Sequence, residues 1–336
     1  APGFNFKMTM FLLLAFVANA VAFVTLVPQY VNKPPLSPMD PKGELITQKF
    51  RIGPFGPIEG NGQYEGRNVI LTRPEPTKLI EIAHFGDFGL EYEDGTTVPR
   101  DTLYLHHILA YDQSNGKFVC GCSNERSNWG PQTLPYPYRL LLAPNAVVKA
   151  QGFHMNNLKS KPITYYVTYT VKYKVHVPTD PPIRVVESFY WMDNYNVPGG
   201  DKRNSTHVRS RTNTITKDMV IVSMNGHLHQ GGKRLIVEFD NAPAGQSKEL
   251  CTTYNLYHDS YPCFWDCDQV CPYKNDWTSQ WEMTTCYMEK PVRRGDRIKS
   301  IAEYDNSCSW RGVMAWWFNY GWDGTTKGGS SAISSK

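Results

Sequence analysis

The sequence predicts an all-β protein built from two antiparallel β-sandwich domains, and three observations support this fold class. At 336 residues, the chain is too long for one typical domain and suits two of roughly 150 residues each. Its 24 prolines, 26 glycines and 20 tyrosines favour short strands and many turns over long helices. Within residues 163–177, the run YYVTYTVKYKV alternates strongly enough for a two-sided strand.

The first element is a hydrophobic segment, which we expect to form a signal-anchor helix over residues 1–27. Residues 8–27 read MTMFLLLAFVANAVAFVTLV and carry no charge, and this length just spans a bilayer. With Lys7 on the cytoplasmic side, the body of the protein is extracellular or luminal. A cleaved signal peptide ending at Ala18-Asn19-Ala20 would instead make the protein secreted. In a third alternative, the helix packs against copies of itself in an assembly.

Two domains follow a spacer. Residues 28–60 are rich in proline and are expected to be semi-extended, with a first domain over 61–180 and a second over 181–323. The turn-rich run VPTDPPI divides the two domains, and the tail 324–336 is expected to be mobile. The clearest strands are predicted at 68–71, 78–82, 102–111, 146–153, 163–177, 184–192, 218–223, 234–239, 296–304 and 313–320.

Charge and cysteine usage narrow the class of protein. A net charge of +4, without a concentrated basic stripe, argues against nucleic acid as a partner. Eight cysteines and the glycosylation sequon at Asn204 indicate an oxidising, extracellular compartment. The four-residue spacing of Cys263, Cys267 and Cys271 favours a disulfide-stapled loop over a zinc site.

The stretch VSMNGHLHQGG, residues 222–232, is hard to explain as ordinary core or surface. In a strand, the two-residue period puts His227 and His229 on one face and Leu228 on the other, which makes the two imidazoles a ready pair of metal ligands. The alternative is a half-buried strand that ends at Gly231-Gly232 and carries two solvent-facing histidines.

Four further residues favour the metal interpretation. His106 and His107 are adjacent, so both reach one metal only if the strand bulges or ends there; otherwise one is buried and one exposed. His154 would supply a third ligand from a neighbouring strand. Met314, in RGVMAWW, is either a ligand or a core methionine beside aromatic residues. The remaining histidines, at positions 84, 176, 207 and 258, have no partner pattern and are interpreted as structural or exposed.

Taken in order, this HH, H, HxH and Met series resembles the ascorbate-dependent type 2 copper monooxygenase superfamily. That family includes the peptidylglycine α-hydroxylating and dopamine β-hydroxylating enzymes, which have two jelly-roll domains. The resemblance implies two copper ions, one per domain. It places the electron-donating copper on His106, His107 and His154, and the catalytic copper, where dioxygen would hydroxylate a substrate C–H, on His227, His229 and Met314. Imidazole suits copper in either oxidation state, and a thioether selects Cu(I).

The chain is even more similar to the plant stress-up-regulated nodulin-like family. The matching pieces are LYLHHILAYD, CGCSNERS, LPYPYRLLL, ITYYVTYTVKYKV, GHLHQGG, EMTTCY and RGVMAWWF. This resemblance implies a disulfide between Cys251 and Cys286. The cysteine-rich sequence between these two residues departs from the hydroxylases.

The predicted function is an extracellular copper-binding protein, a copper-dependent monooxygenase acting on a small-molecule or peptide substrate. The alternative is a structural or assembly glycoprotein that keeps this fold without turnover, and a third is a binding module without metal. The partner of residues 8–27 is either a membrane or another copy of the chain.

Overall fold

The computed structural model describes residues 43, 45–66, 68–123, 134–200, 202, 205–242, 245, 247–262 and 278–324. Every regular element in these residues is a strand, and the strands form two β-sandwiches, which confirms the predicted all-β, jelly-roll fold class. Over the same residues, no helix is long and apolar enough to cross a membrane. The predicted helix of residues 1–27, and the tail from residue 325 onward, lie outside the described residues.

In the described residues, the first sandwich contains eleven strands in two sheets. One sheet has the order β1-β10-β4-β7-β11, and the other has the order β2-β9-β5-β8-β3 with β6 beside β5. All neighbouring pairs are antiparallel except β7 and β11. The strands are β1 (Ile46–Ile58), β2 (Gln63–Gly66), β3 (Val69–Leu71), β4 (Ile80–Glu91), β5 (Leu103–Asp112), β6 (Phe118–Ser123), β7 (Tyr138–Leu142), β8 (Val148–Ala150), β9 (Phe153–Asn157), β10 (Ile163–Val175) and β11 (Arg184–Val185).

The described part of the second sandwich contains nine strands, all paired antiparallel. Its sheets have the orders β12-β20-β14-β18 and β13-β19-β15-β16-β17. The strands are β12 (Glu187–Val197), β13 (Thr206–Thr214), β14 (Met219–Leu228), β15 (Gly232–Phe239), β16 (Glu249–Pro262), β17 (Thr278–Met283), β18 (Thr285–Val292), β19 (Arg297–Asp305) and β20 (Trp310–Trp322).

The structure differs from the predicted spacer at residues 46–58, which form β1 at the edge of the first sandwich. Proline is tolerated on an edge strand because its missing N–H faces away from the ladder. The pairing with β10 is irregular around Phe55, and Gly53 and Gly56 have positive φ there, which glycine adopts readily. The prolines therefore belong to an irregular edge strand, so residues 46–58 of the predicted spacer are part of the first sandwich.

The two sandwiches share an apolar interface. Outward-facing Leu109 and Tyr111 of β5 pack with Phe118 of β6 and with Trp316 and Phe318 of β20. The rings of Phe118 and Phe318 have centroids 5.3 Å apart. Because alternate residues of a strand face opposite sides, β5 and β20 each use one face for their own core and the other for this interface.

Hydrogen bonds and one disulfide reinforce this arrangement. Across the interface, Tyr320 Oη donates to the carbonyl of Val119 (3.2 Å) and Ser188 Oγ donates to the carbonyl of Phe118 (2.9 Å). Within the second sandwich, the Cys251–Cys286 disulfide joins β16 of one sheet to β18 of the other. Cys263, Cys267, Cys271 and Asn204 lie outside the described residues.

Candidate metal centre between the two sandwiches

A β-bulge in β5 lets two adjacent histidines face the same way. Leu105 lies opposite Met155 of β9 and His107 lies opposite His154, so His106 is the extra residue on the bulged strand. Leu105 and Ile108, on either side of the pair, are both buried in the core. A bulge shifts the alternation by one residue, so both imidazoles leave the core on the side of the interface. The structure thus contains the backbone feature that two adjacent ligands require.

The three histidines of the first sandwich lie at metal-binding distances from one another. Their ligand nitrogens are all within 4.8 Å of one another. The ring centroids are separated by 4.9 Å for His106 and His107, 4.7 Å for His106 and His154, and 5.7 Å for His107 and His154. Imidazoles bound at roughly 2 Å to one tetrahedral ion have ring centres roughly 5 Å apart. The observed spacing therefore fits a single ion.

Burial favours the neutral, metal-binding form of His154. Burial lowers its pKa, and the carboxylate of Glu65 on the neighbouring strand β2 offsets part of that effect. Its Nδ1 is 3.2 Å from Nδ1 of His106, and its Nε2 is buried without a hydrogen-bond partner in the described structure. Because Nδ1 of His154 faces Nδ1 of His106, it is the nitrogen placed to share an ion with that residue.

His227 and His229 of the second sandwich reach the same region. His227 is buried opposite Trp316 of β20, and their rings have centroids 6.0 Å apart. His229 follows the end of β14; its ring is 5.3 Å from that of His227 and 6.4 Å from that of His106. Burial, with smaller contributions from His227 and His107, lowers the pKa of His229 to about 3. The two predicted histidine sets therefore lie side by side across the interface.

Met314, the sixth predicted ligand, lies half-buried on β20. Its carbonyl oxygen accepts a hydrogen bond from Tyr304 Oη (2.7 Å), and that hydroxyl also accepts the backbone N–H of His229 (2.8 Å). The two-residue period puts the Met314 side chain on the same face of β20 as Trp316. In the described part of the chain, the His, Cys, Asp and Glu side chains close enough to share one ion are His106, His107 and His154.

Two residues that position the cluster escaped the sequence prediction. Gly152 precedes β9, and a Cβ there would lie 3.0 Å from Cδ2 of His107. Glycine beside a strand is a known sign of close approach, so the run QGFH contained this signal. Tyr304 positions the backbone of His229, but it is 75 residues away in the chain and no local pattern connects the two.

The other titratable candidates lie elsewhere. Cys120 and Cys122 are buried in β6, and burial raises the pKa of the Cys120 thiol. The side chain of His258 lies outside the described residues. Three further histidines contact other side chains: His84 Nε2 with Asp87 (2.9 Å), His176 Nδ1 with Glu81 (2.7 Å), and the His207 ring with Tyr195 (centroids 6.2 Å apart).

No protein-family model matches this sequence, and no curated protein matches it. Solved structures with a related fold include the STIV MCP, with a TM-score of 0.34 and 7% identity over 84% of this chain and 98% of that chain. They also include PBCV-1 VP54, with a TM-score of 0.33 and 8% identity over 86% of this chain and 97% of that chain. A third is the major capsid protein P2 of bacteriophage PM2, with a TM-score of 0.34 and 7% identity over 83% of this chain and 99% of that chain. At these values, the likeness concerns the β fold alone.

These findings overturn the predicted family membership. Assignment to the type 2 copper monooxygenases, and to the nodulin-like family, is wrong: no family model and no curated protein of either family matches the chain, and the solved structures that match include a bacteriophage major capsid protein. The oxidoreductase activity that this assignment implied is wrong with it. Both resemblances depended on short motifs separated by unlike sequence. Such motifs show which residue types lie on the strands, but they are not evidence of common ancestry or of a shared reaction.

Proposed function

We propose that this chain is an extracellular structural protein that binds one copper ion at His106, His107 and His154. The observation that carries the proposal is the bulge in β5, which turns two adjacent imidazoles towards a third at the spacing of a shared ion. We propose one ion in place of the predicted two because His227 and His229 approach this same centre instead of forming a remote one.

The donor set favours copper. Three neutral imidazoles suit copper, zinc, iron and nickel, and for a given nitrogen site copper(II) binds most tightly among the divalent first-row metals. The Cys251–Cys286 disulfide is consistent with an oxidising, extracellular compartment, where copper(II) is the stable form.

Metal titration of the full chain tests this proposal. Purified metal-free protein is titrated with Cu²⁺ and with Zn²⁺ by calorimetry, and bound metal is then counted by elemental analysis. We expect one copper ion per chain, bound more tightly than zinc, and its loss in His154→Ala. His207→Ala is the matched control, because it removes a half-buried histidine from β13 and leaves the cluster intact. Absence of bound metal in the parent protein would contradict the proposal.

Self-association is a second candidate function, supported by the edge strands of the second sandwich. In the described ladders, β12 pairs with β20 and β13 pairs with β19, each on one side. They carry large apolar side chains in solvent, with Tyr190 50%, Met192 39% and Val208 57% exposed. Long exposed edges of this kind are templates for pairing with another chain. Sedimentation velocity tests this: we expect oligomers that Val208→Lys dissociates, whereas a monomer at all concentrations would exclude it.

A further inference from the structure

We propose that the metal centre is shared between the sandwiches, with His229 of the second sandwich as the fourth ligand to the ion held by the three histidines of the first. The inference rests on the proposed metal-binding function. Its consequence is that the bound ion holds the two sandwiches together, as a clamp.

The geometry points to His229. An ion with four ligand positions, tetrahedral or tetragonal, has one position open when His106, His107 and His154 are bound. The His229 ring lies 6.4 Å from the His106 ring, against the roughly 5 Å expected for two ligands of one ion. The His229 ring is therefore roughly 1.4 Å beyond tetrahedral ligand spacing from the His106 ring. His227 is a weaker candidate, because its ring packs against Trp316 within its own sandwich.

The backbone around His229 permits the small movement that would close this gap. His229 is past the last residue of β14 and begins a turn in which its carbonyl accepts the N–H of Gly232 (3.0 Å). Its own N–H is held by Tyr304 Oη (2.8 Å). The main chain is thus anchored to the second sandwich, so the movement must come from rotation of the His229 side chain.

The position of the cluster explains why the clamp matters. His107 is on the same outward face of β5 as Leu109 and Tyr111, which pack against Trp316 and Phe318 of the other sandwich. The histidines therefore extend the apolar interface at one end. Apolar contacts are non-directional, whereas metal–nitrogen bonds fix both distance and angle, so the ion would determine how the two sandwiches are held.

Copper titration, electron paramagnetic resonance and hydrogen exchange of the full chain test the clamp. In the parent protein loaded with one equivalent of Cu²⁺, we expect hyperfine coupling from four nitrogens. We also expect slower amide exchange both in β9 and in the turn at residues 229–232. In His229→Ala, one nitrogen is lost and the copper dissociation constant rises roughly tenfold or more. In this variant, metal still slows amide exchange in β9 but no longer slows it in the turn at residues 229–232.

Controls separate this inference from the proposed function. His229→Gln removes the imidazole but preserves the size of the side chain. Thermal unfolding of each metal-free variant establishes that it folds. His207→Ala should bind copper as the parent does. If the parent binds no copper, both proposals fail. If the parent binds copper and His154→Ala does not, but His229→Ala matches the parent in affinity, spectrum and exchange, only the clamp is overturned. Two ions in the parent and one in His229→Ala would also overturn it, because His229 would then hold a separate ion.

Discussion

A single methyl group added at Gly152 should disturb the metal centre by displacing one ligand. An ideal Cβ there lies 3.0 Å from Cδ2 and 3.1 Å from Nε2 of His107, and 3.3 Å from a methyl carbon of Leu109. Carbon atoms pack at about 3.5–4.0 Å, so at least roughly half an ångström must be gained. The backbone of Gly152 has little room to retreat, because its carbonyl accepts the N–H of Leu109 and the N–H of Gln151 donates to the Leu109 carbonyl. The His107 ring must therefore move.

Metal–nitrogen distances tolerate only about 0.2 Å, so this displacement should weaken binding. For Gly152→Ala we expect the copper dissociation constant to rise roughly tenfold, equivalent to about 1.4 kcal/mol. The metal-free protein should lose about 1–3 kcal/mol of unfolding free energy from overpacking. Calorimetric titration and urea unfolding measure the two effects. Gly199→Ala is the control, since its Cβ would lie 3.2 Å from the backbone nitrogen of Ser309, away from the histidines. Parent-like copper affinity in Gly152→Ala, together with lost binding in His107→Ala, would refute this reasoning.

Three further predictions concern the fold. Tyr304→Phe removes a hydroxyl that bonds His229 N–H and the Met314 carbonyl, so urea unfolding should show a loss of about 1–3 kcal/mol. Replacing Cys251 and Cys286 by alanine opens a loop of 35 residues and should cost about 4 kcal/mol of unfolding free energy on the chain-entropy estimate; an unchanged melting temperature would contradict this. The hydrogen bond from His84 lowers the pKa of Asp87. The ionised carboxylate therefore stabilises the fold fully above its unfolded-state pKa of about 3.9. This stabilisation is lost as pH falls through the lower folded-state pKa. Asp87→Asn should therefore flatten the decline in stability below about pH 4, measured by urea unfolding across pH.

The failed family assignment shows the limit of short motifs as evidence. The histidines that carried it do converge, so the residue types and their strand context were informative about a site. Nothing in HH or HxH specifies the distance between the two sets, and in the structure His229 lies 6.4 Å from His106 by ring centroid instead of in a separate centre. The reaction was inferred from the family, so it has no support once the family assignment is wrong.

Local sequence alone determined the strand content and the list of candidate ligands. Two-residue alternation is a property of neighbouring residues, so strongly alternating segments such as β10 were predictable. The nearly fully exposed edge strand β13 was missed because THVRSRTNT has no apolar alternation. Likewise, the proline-rich sequence of β1 concealed a strand that is defined by its pairing with β10.

The tertiary structure decided how the ligands meet. The bulge at His106 exists only relative to β9, whose His154 is 48 residues further along the chain. His229 approaches it only because Leu109, Tyr111, Trp316 and Phe318 join the two sandwiches at that end. Register and interface depend on contacts between segments far apart in sequence, and local periodicity contains no information about either.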